Sequence, residues 1–294
     1  MYAIHIGAPK TGTTSLQHTL KSLDEELAKH GVRYHFTPRF QKSEIGQFIR
    51  GKAEPADSAF TPLRQEIEST RCVLLSDEGC TGPLMNPSKK TWDAAPERAF
   101  RFTDKLGIPP HKVIVTVRRQ DEFLLSCYLH RLRHGRVTSE FRPYWEQEVR
   151  LELMRWSTLL STVERHYGRD KLVVLPFEYL RADFPGFVRT FLKLGTGTDL
   201  TADVIPVESR NQGLGAEQVG KALELVRALK DENKSVREIK ETIRTELMQD
   251  EPPQRSRPDL GELKAKLAAL FRKDNEAVSE RYFAVKHPAF LFDA

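Results

Sequence analysis

A chain of 294 residues with 39% apolar and 9% aromatic side chains carries enough hydrophobic material for a large folded core, which excludes wholesale disorder. Its 46 basic and 41 acidic residues leave a net charge of +5 with the two signs interspersed. That balance suits an anionic small ligand and lacks the concentrated basic stripe of a nucleic-acid binder. No run approaches the roughly 18 apolar residues of a membrane span. Cys72, Cys80 and Cys127 lack CxxC spacing and leave at least one thiol unpaired, as expected in a reducing compartment. Met1-Tyr-Ala-Ile-His-Ile enters a glycine-bearing loop without a charged or apolar leader, so the cytoplasm is the expected location.

The first β-rich run, residues 2–6, leads into that loop at 7–15. Leu16, Leu20, Leu23 and Leu27 then recur at intervals of four, three and four, one face of an α-helix, and Gly31 stands where a helix ends. A strand at 32–35 precedes a poorly patterned stretch, 37–61, expected to be a loop over an active site. Strands follow at 73–76, 112–117 and 171–176; the cores VLL, IVTV and LVVL are continuously apolar, as in strands buried on both faces. Helical patterns occupy 96–106, 120–134, 143–167 and 184–194, several closed by glycine. From Ala216 the strand signal stops and two or three amphipathic helices follow, with a linker at 250–258. Strands alternating with helices predict an α/β fold around a mostly parallel sheet with a helical C-terminal region. We expect one domain, with an α/β core at 1–215 and helices at 216–294.

The loop Gly7-Ala-Pro-Lys10-Thr11-Gly12-Thr13-Thr14-Ser15 carries the chemistry. A strand, a glycine loop and a helix N-terminus together aim free N–H groups and the positive end of the helix dipole at one point. Four hydroxyls and the Lys10 charge add to it. The Gly7-x4-Gly12 spacing is that of a phosphate loop, GxxxxGK[ST], but here the lysine precedes the second glycine. In nucleotide triphosphatases it follows that glycine and reaches the outer phosphates.

In this respect the sequence resembles the sulfotransferases that use 3′-phosphoadenosine 5′-phosphosulfate (PAPS), whose loop reads PK[ST]GT[TS]; residues 9–14 match it throughout. The resemblance implies a three-layer, P-loop-like fold. It also implies that Lys10, Thr11, Gly12, Thr13, Thr14 and Ser15 grip the 5′-phosphosulfate. That family's second signature, an arginine at a strand end with a serine eight residues on, implies that Arg118 and Ser126 hold the 3′-phosphate, with Arg119 as an alternative to Arg118. A guanidinium and a hydroxyl suit a dianionic phosphate. Gln120 replaces a proline usual in the family. By the same resemblance Phe177 lies against adenine, with Tyr179 in place of an acidic residue, and Arg210 and Asn211 belong to the nucleotide site.

Sulfuryl transfer to a hydroxyl or amine needs a base for the acceptor proton and positive charge on the leaving 3′,5′-adenosine bisphosphate. Lys10 suits the second role. Glu78, in the Ser-x-Glu pattern after the third strand, matches the family's base; Asp77 is the reserve, and His130 and His134 are open alternatives. No His/Cys/Asp/Glu group has metal-ligand spacing, so no metal is expected. The implied acceptor is a glycan, a glycolipid or a small hydroxylated metabolite. The competing expectations are a P-loop kinase-like phosphotransferase and a non-catalytic nucleotide-binding protein.

Overall fold

The computed structural model describes residues 1–36, 42–82, 84, 92, 94–201, 204, 214–247 and 258–292. The chain forms two compact units, one of residues 1–119, 153–209 and 271–294, the other of 120–152 and 210–270.

The first unit is built on five strands: β1 (Tyr2–His5), β2 (Val32–Phe36), β3 (Cys72–Ser76), β4 (Lys112–Val117) and β5 (Leu172–Pro176). All pair in parallel in the order β2-β3-β1-β4-β5. β1, β3 and β5 are buried along their whole length, which explains their lack of polar alternation. One face carries Ala3, Cys72, Leu74, Ile114, Val173 and Leu175. It clusters with Leu16 and Leu20 of α1 (Thr13–Ser22), Leu27 of α2 (Asp24–Lys29), and Phe187, Val188, Phe191 and Leu192. On the opposite face Ile4 and Leu75 meet Ile49 of α3 (Glu44–Ile49) and Phe102 of α5 (Glu97–Leu106), the latter following α4 (Thr61–Ser69). Helices on both faces give the expected three layers.

α6 (Gln120–Arg133) belongs to the second unit. In the first unit, α7 (Trp156–Tyr167) precedes β5, and α8 (Phe177–Ala182) and α9 (Phe184–Thr196) follow it. α10 (Ala216–Asp231) and α11 (Val236–Leu247) lie in the second unit, burying Ala222, Leu223, Val226, Ile239 and Ile243. α12 (Glu262–Tyr282) begins in the second unit and ends in the first, where Phe283 bridges to Val174 beside β5. Among the described residues no helix is long and apolar enough to cross a membrane.

Three expectations are corrected. The leucine helix is two helices meeting at Leu23 (φ −93°, ψ 8°), which keeps its leucine face on the core. Residues 143–167 are not one helix: a π-turn at Tyr144–Glu148 and a 3-10 turn at Leu151–Leu153 precede α7, with Val149 and Arg155 extended. A continuous helix would put Trp145 and Trp156 on one face, yet they are buried in different units. Within the expected loop at 37–61, residues 42–61 include α3 and a 3-10 turn at Asp57–Phe60, with Phe48 and Phe60 in edge-on contact at 5.9 Å.

Candidate active site

The loop between β1 and α1 turns on three positive φ angles: Gly7 at 49°, Lys10 at 67° and Gly12 at 78°. A left-handed non-glycine residue costs about 1–2 kcal/mol, so Lys10 is held there by its surroundings. Arg118 Nη1 donates to the Lys10 carbonyl at 2.9 Å, and Thr11 Oγ1 donates to the Ala8 carbonyl at 2.6 Å. Gly12 is the N-cap of α1 and has no side chain to accept from the first turn, which also contains no acidic residue. No side chain of α1 itself therefore caps the N–H groups of that turn, and the positive end of its dipole favours negative charge there. A Cβ on Gly12 would lie 2.9 Å from both Phe177 and Leu180, so the loop rests directly on α8.

β3 and β4 flank β1 and deliver the remaining groups to the same sheet edge, the carboxyl edge where parallel α/β sheets bind ligands. After β3, Glu78 Oε2 accepts a 2.6 Å hydrogen bond from Thr13 Oγ1, so a carboxylate stands beside the first residue of α1. Asp77 faces other partners: it accepts from the Gly79 N–H at 2.7 Å and from Arg50 Nη2 at 3.3 Å. Burial pushes the Asp77 carboxyl above its usual range, with Arg50 and the Gly79 N–H opposing.

After β4, the Arg118 guanidinium stacks 4.5 Å from the Phe177 ring centre, and its carbonyl accepts from Trp156 Nε1 at 2.7 Å. Arg119 is engaged elsewhere: its N–H donates to Glu178 Oε1 at 2.9 Å, Nη1 donates to the Ala289 carbonyl at 3.1 Å, and its guanidinium lies 5.1 Å from Phe292. Burial raises the Glu178 carboxyl, against the pull of the Arg119 N–H.

The structure thus gathers Lys10, Thr11, Gly12, Thr13, Glu78, Arg118 and Phe177 through direct contacts, with Thr14 and Ser15 in the first turn of α1. Ser126 is the seventh residue of α6, in the second unit, as are His130 and His134, whose rings are 4.1 Å apart. Arg210 and Asn211 lie outside the described residues. Sequence reasoning missed the polar layer beneath the loop. There His5, buried in β1, bonds through Nδ1 to Ser76 Oγ (3.0 Å) and through Nε2 to Thr116 Oγ1 (3.2 Å). A histidine inside the apolar run YAIHI was the available signal. Burial lowers the His5 pKa to about 3.

A separate open cleft of about 660 Å³ runs along α7 and the end of α12, lined by Glu164, Arg169, Arg281 and Tyr282 among others. Its charges are satisfied locally, Glu164 by Arg281 and Tyr282 and Arg169 by backbone carbonyls. Among the described residues no group of three or more His, Cys, Asp or Glu is arranged to hold a metal ion.

No protein-family model matches the chain, and no curated protein matches it by sequence. In three dimensions it is similar to the crystal structure of a sulfotransferase from Alicyclobacillus acidocaldarius, at a TM-score of 0.52 and 16% identity. The match covers 99% of this chain and 98% of that one, so the fold is shared along the whole length.

Proposed function

We propose that this chain is a sulfotransferase that moves the sulfuryl group of PAPS to a hydroxyl or amine of a glycan, glycolipid or small metabolite. One observation carries the proposal: a lysine-bearing glycine loop bonded on one side to Glu78 and on the other to Arg118. A displaced lysine, a carboxylate at the helix start and a guanidinium at the next strand end are the groups that sulfuryl transfer needs. The shared fold with a sulfotransferase supports it. Cys72, Cys80 and Cys127 are buried and not in disulfides with one another, which fits a reducing cytoplasm.

PAPS is a co-substrate in this reading and supplies the sulfuryl group. The first-turn N–H groups of α1, Lys10 and the loop hydroxyls bind the 5′-phosphosulfate. Arg118 binds the 3′-phosphate, and Phe177 offers adenine an apolar face. Glu78 accepts the acceptor's proton as the acceptor atom bonds to sulfur. The S–O bond to the 5′-phosphate breaks, and Lys10 meets the charge left on the phosphate oxygen. The Arg50 and Gly79 contacts that occupy Asp77 favour Glu78 as the base.

Calorimetric titration with 3′,5′-adenosine bisphosphate, 5′-AMP and Mg·ATP tests this reading. A charge-assisted contact is worth about 1.5–3 kcal/mol, so the bisphosphate should bind at least about tenfold tighter than 5′-AMP. Preference for Mg·ATP would overturn the assignment in favour of a phosphotransferase.

A further inference from the structure

The buried polar layer under the loop has a regularity that stability alone does not require. His5, Ser76 and Thr116 point to the same face of β1, β3 and β4, and a single imidazole joins them. Each lies two residues before a group of the site: His5 before Gly7, Ser76 before Glu78 and Thr116 before Arg118. From α1, Gln17 Nε2 donates to Ser76 Oγ at 3.1 Å, tying the helix that carries the loop to the same serine. A Cβ on Gly7 would lie 3.5 Å from His5 Nε2, so the ring sits directly below the first residue of the loop.

The strands do not need these bonds in order to pair. β1 and β3 are in register up to His5 opposite Ser76, and β1 and β4 up to His5 opposite Ile114. Thr116 lies two residues beyond that last β1–β4 pair, so the His5–Thr116 bond continues the connection past the ladder. Phe191 lies edge-on to the imidazole, with ring centres 5.2 Å apart. An aliphatic side chain would fill such a position without polar atoms to satisfy. Buried polar groups whose bonds are all made fix a unique geometry more than they add stability.

We propose that His5 is a positioning residue for the transfer site, a strut that sets the spacing of the loop, Glu78 and Arg118 by bonding Ser76 and Thr116 from beneath. The functional half of this inference rests on the sulfotransferase reading; the mechanical half does not. Thr116→Val removes one end of the strut at nearly constant shape, Thr116→Ser restores its hydroxyl, and His5→Leu removes the strut whole.

Two readouts separate the two halves. Hydrogen exchange of the unliganded protein reports the strut directly. Thr116→Val and His5→Leu should speed exchange at residues 7–14 and 77–79 while β1, β3 and β4 stay protected, and Thr116→Ser should match the parent. Calorimetry should then show the bisphosphate binding Thr116→Val about tenfold more weakly than the parent, a difference of about 1.4 kcal/mol, with little change in melting temperature. Equal exchange and equal affinity in Thr116→Val and the parent would overturn the strut. A lower melting temperature with no change at the two loops would do the same. A parent that binds no bisphosphate, yet shows the exchange pattern, would sink the sulfotransferase reading and leave the strut standing.

Discussion

Glu78 and Asp77 are adjacent carboxylates on one turn, and their partners separate their roles. Glu78 accepts from Thr13 at the start of α1, whereas Asp77 caps its own 3-10 turn and binds Arg50. Glu78→Gln keeps an acceptor for Thr13 but cannot take a proton. It should leave bisphosphate affinity within about twofold and lower kcat by about 10²-fold or more, as loss of a general base does; steady-state sulfuryl-transfer kinetics beside calorimetry would check both. Asp77→Asn should instead lower the melting temperature, because it leaves the Arg50 charge half-buried without its partner carboxylate. Lys10→Ala should weaken bisphosphate binding about tenfold or more, measured in the same titration.

At the scale of elements, the loop and α8 act as one piece because Gly12 rests on Phe177 and Leu180. Gly12→Ala puts a Cβ at 2.9 Å from both and forces an alanine to φ 78°. We expect a loss of about 1–3 kcal/mol in urea unfolding, together with weaker bisphosphate binding, since the same contact sets the loop over Phe177. The sheet was legible in the sequence because buried parallel strands are short, apolar and punctuated by glycine: 112–117 was read to the residue. So was the loop, where Gly7 and Gly12 take positive φ. Contacts between distant elements were not legible. Nothing local to Glu78 announces Thr13, and nothing local to Arg118 announces the Lys10 carbonyl, because both pairings arise only when β3 and β4 settle on either side of β1. The 143–167 stretch misled for the opposite reason, since its helical periodicity was overridden by two tryptophans buried in different units.

For the whole molecule, the buried ionisable groups set how stability responds to acid. His5 has a pKa near 3 in the folded chain against 6.5 for an unburied histidine. Between those values the unfolded chain takes up a proton that the native chain refuses, so stability is lost as the pH falls from about 6.5 toward 3. Asp77 and Glu178 have raised pKa values and act in the opposite sense, favouring the folded state as the pH falls and blunting the loss. Urea midpoints across pH 4–7 should therefore decline toward acid in the parent, and the decline should be shallower in His5→Leu, which has no proton to take up.

The last segment of the chain completes the first unit rather than trailing from it. Phe283 bridges to Val174 beside β5, Asn275 donates to the Phe290 carbonyl, and the Ala289 carbonyl receives Arg119. A ribosome emitting this protein from its N-terminus therefore releases the loop, Glu78 and Arg118 long before their supports are complete. The nascent sheet must wait, with the β5 edge uncovered, until residues 271–292 emerge. Emergence of residues 271–292, and not the appearance of the loop, is the event that completes this unit.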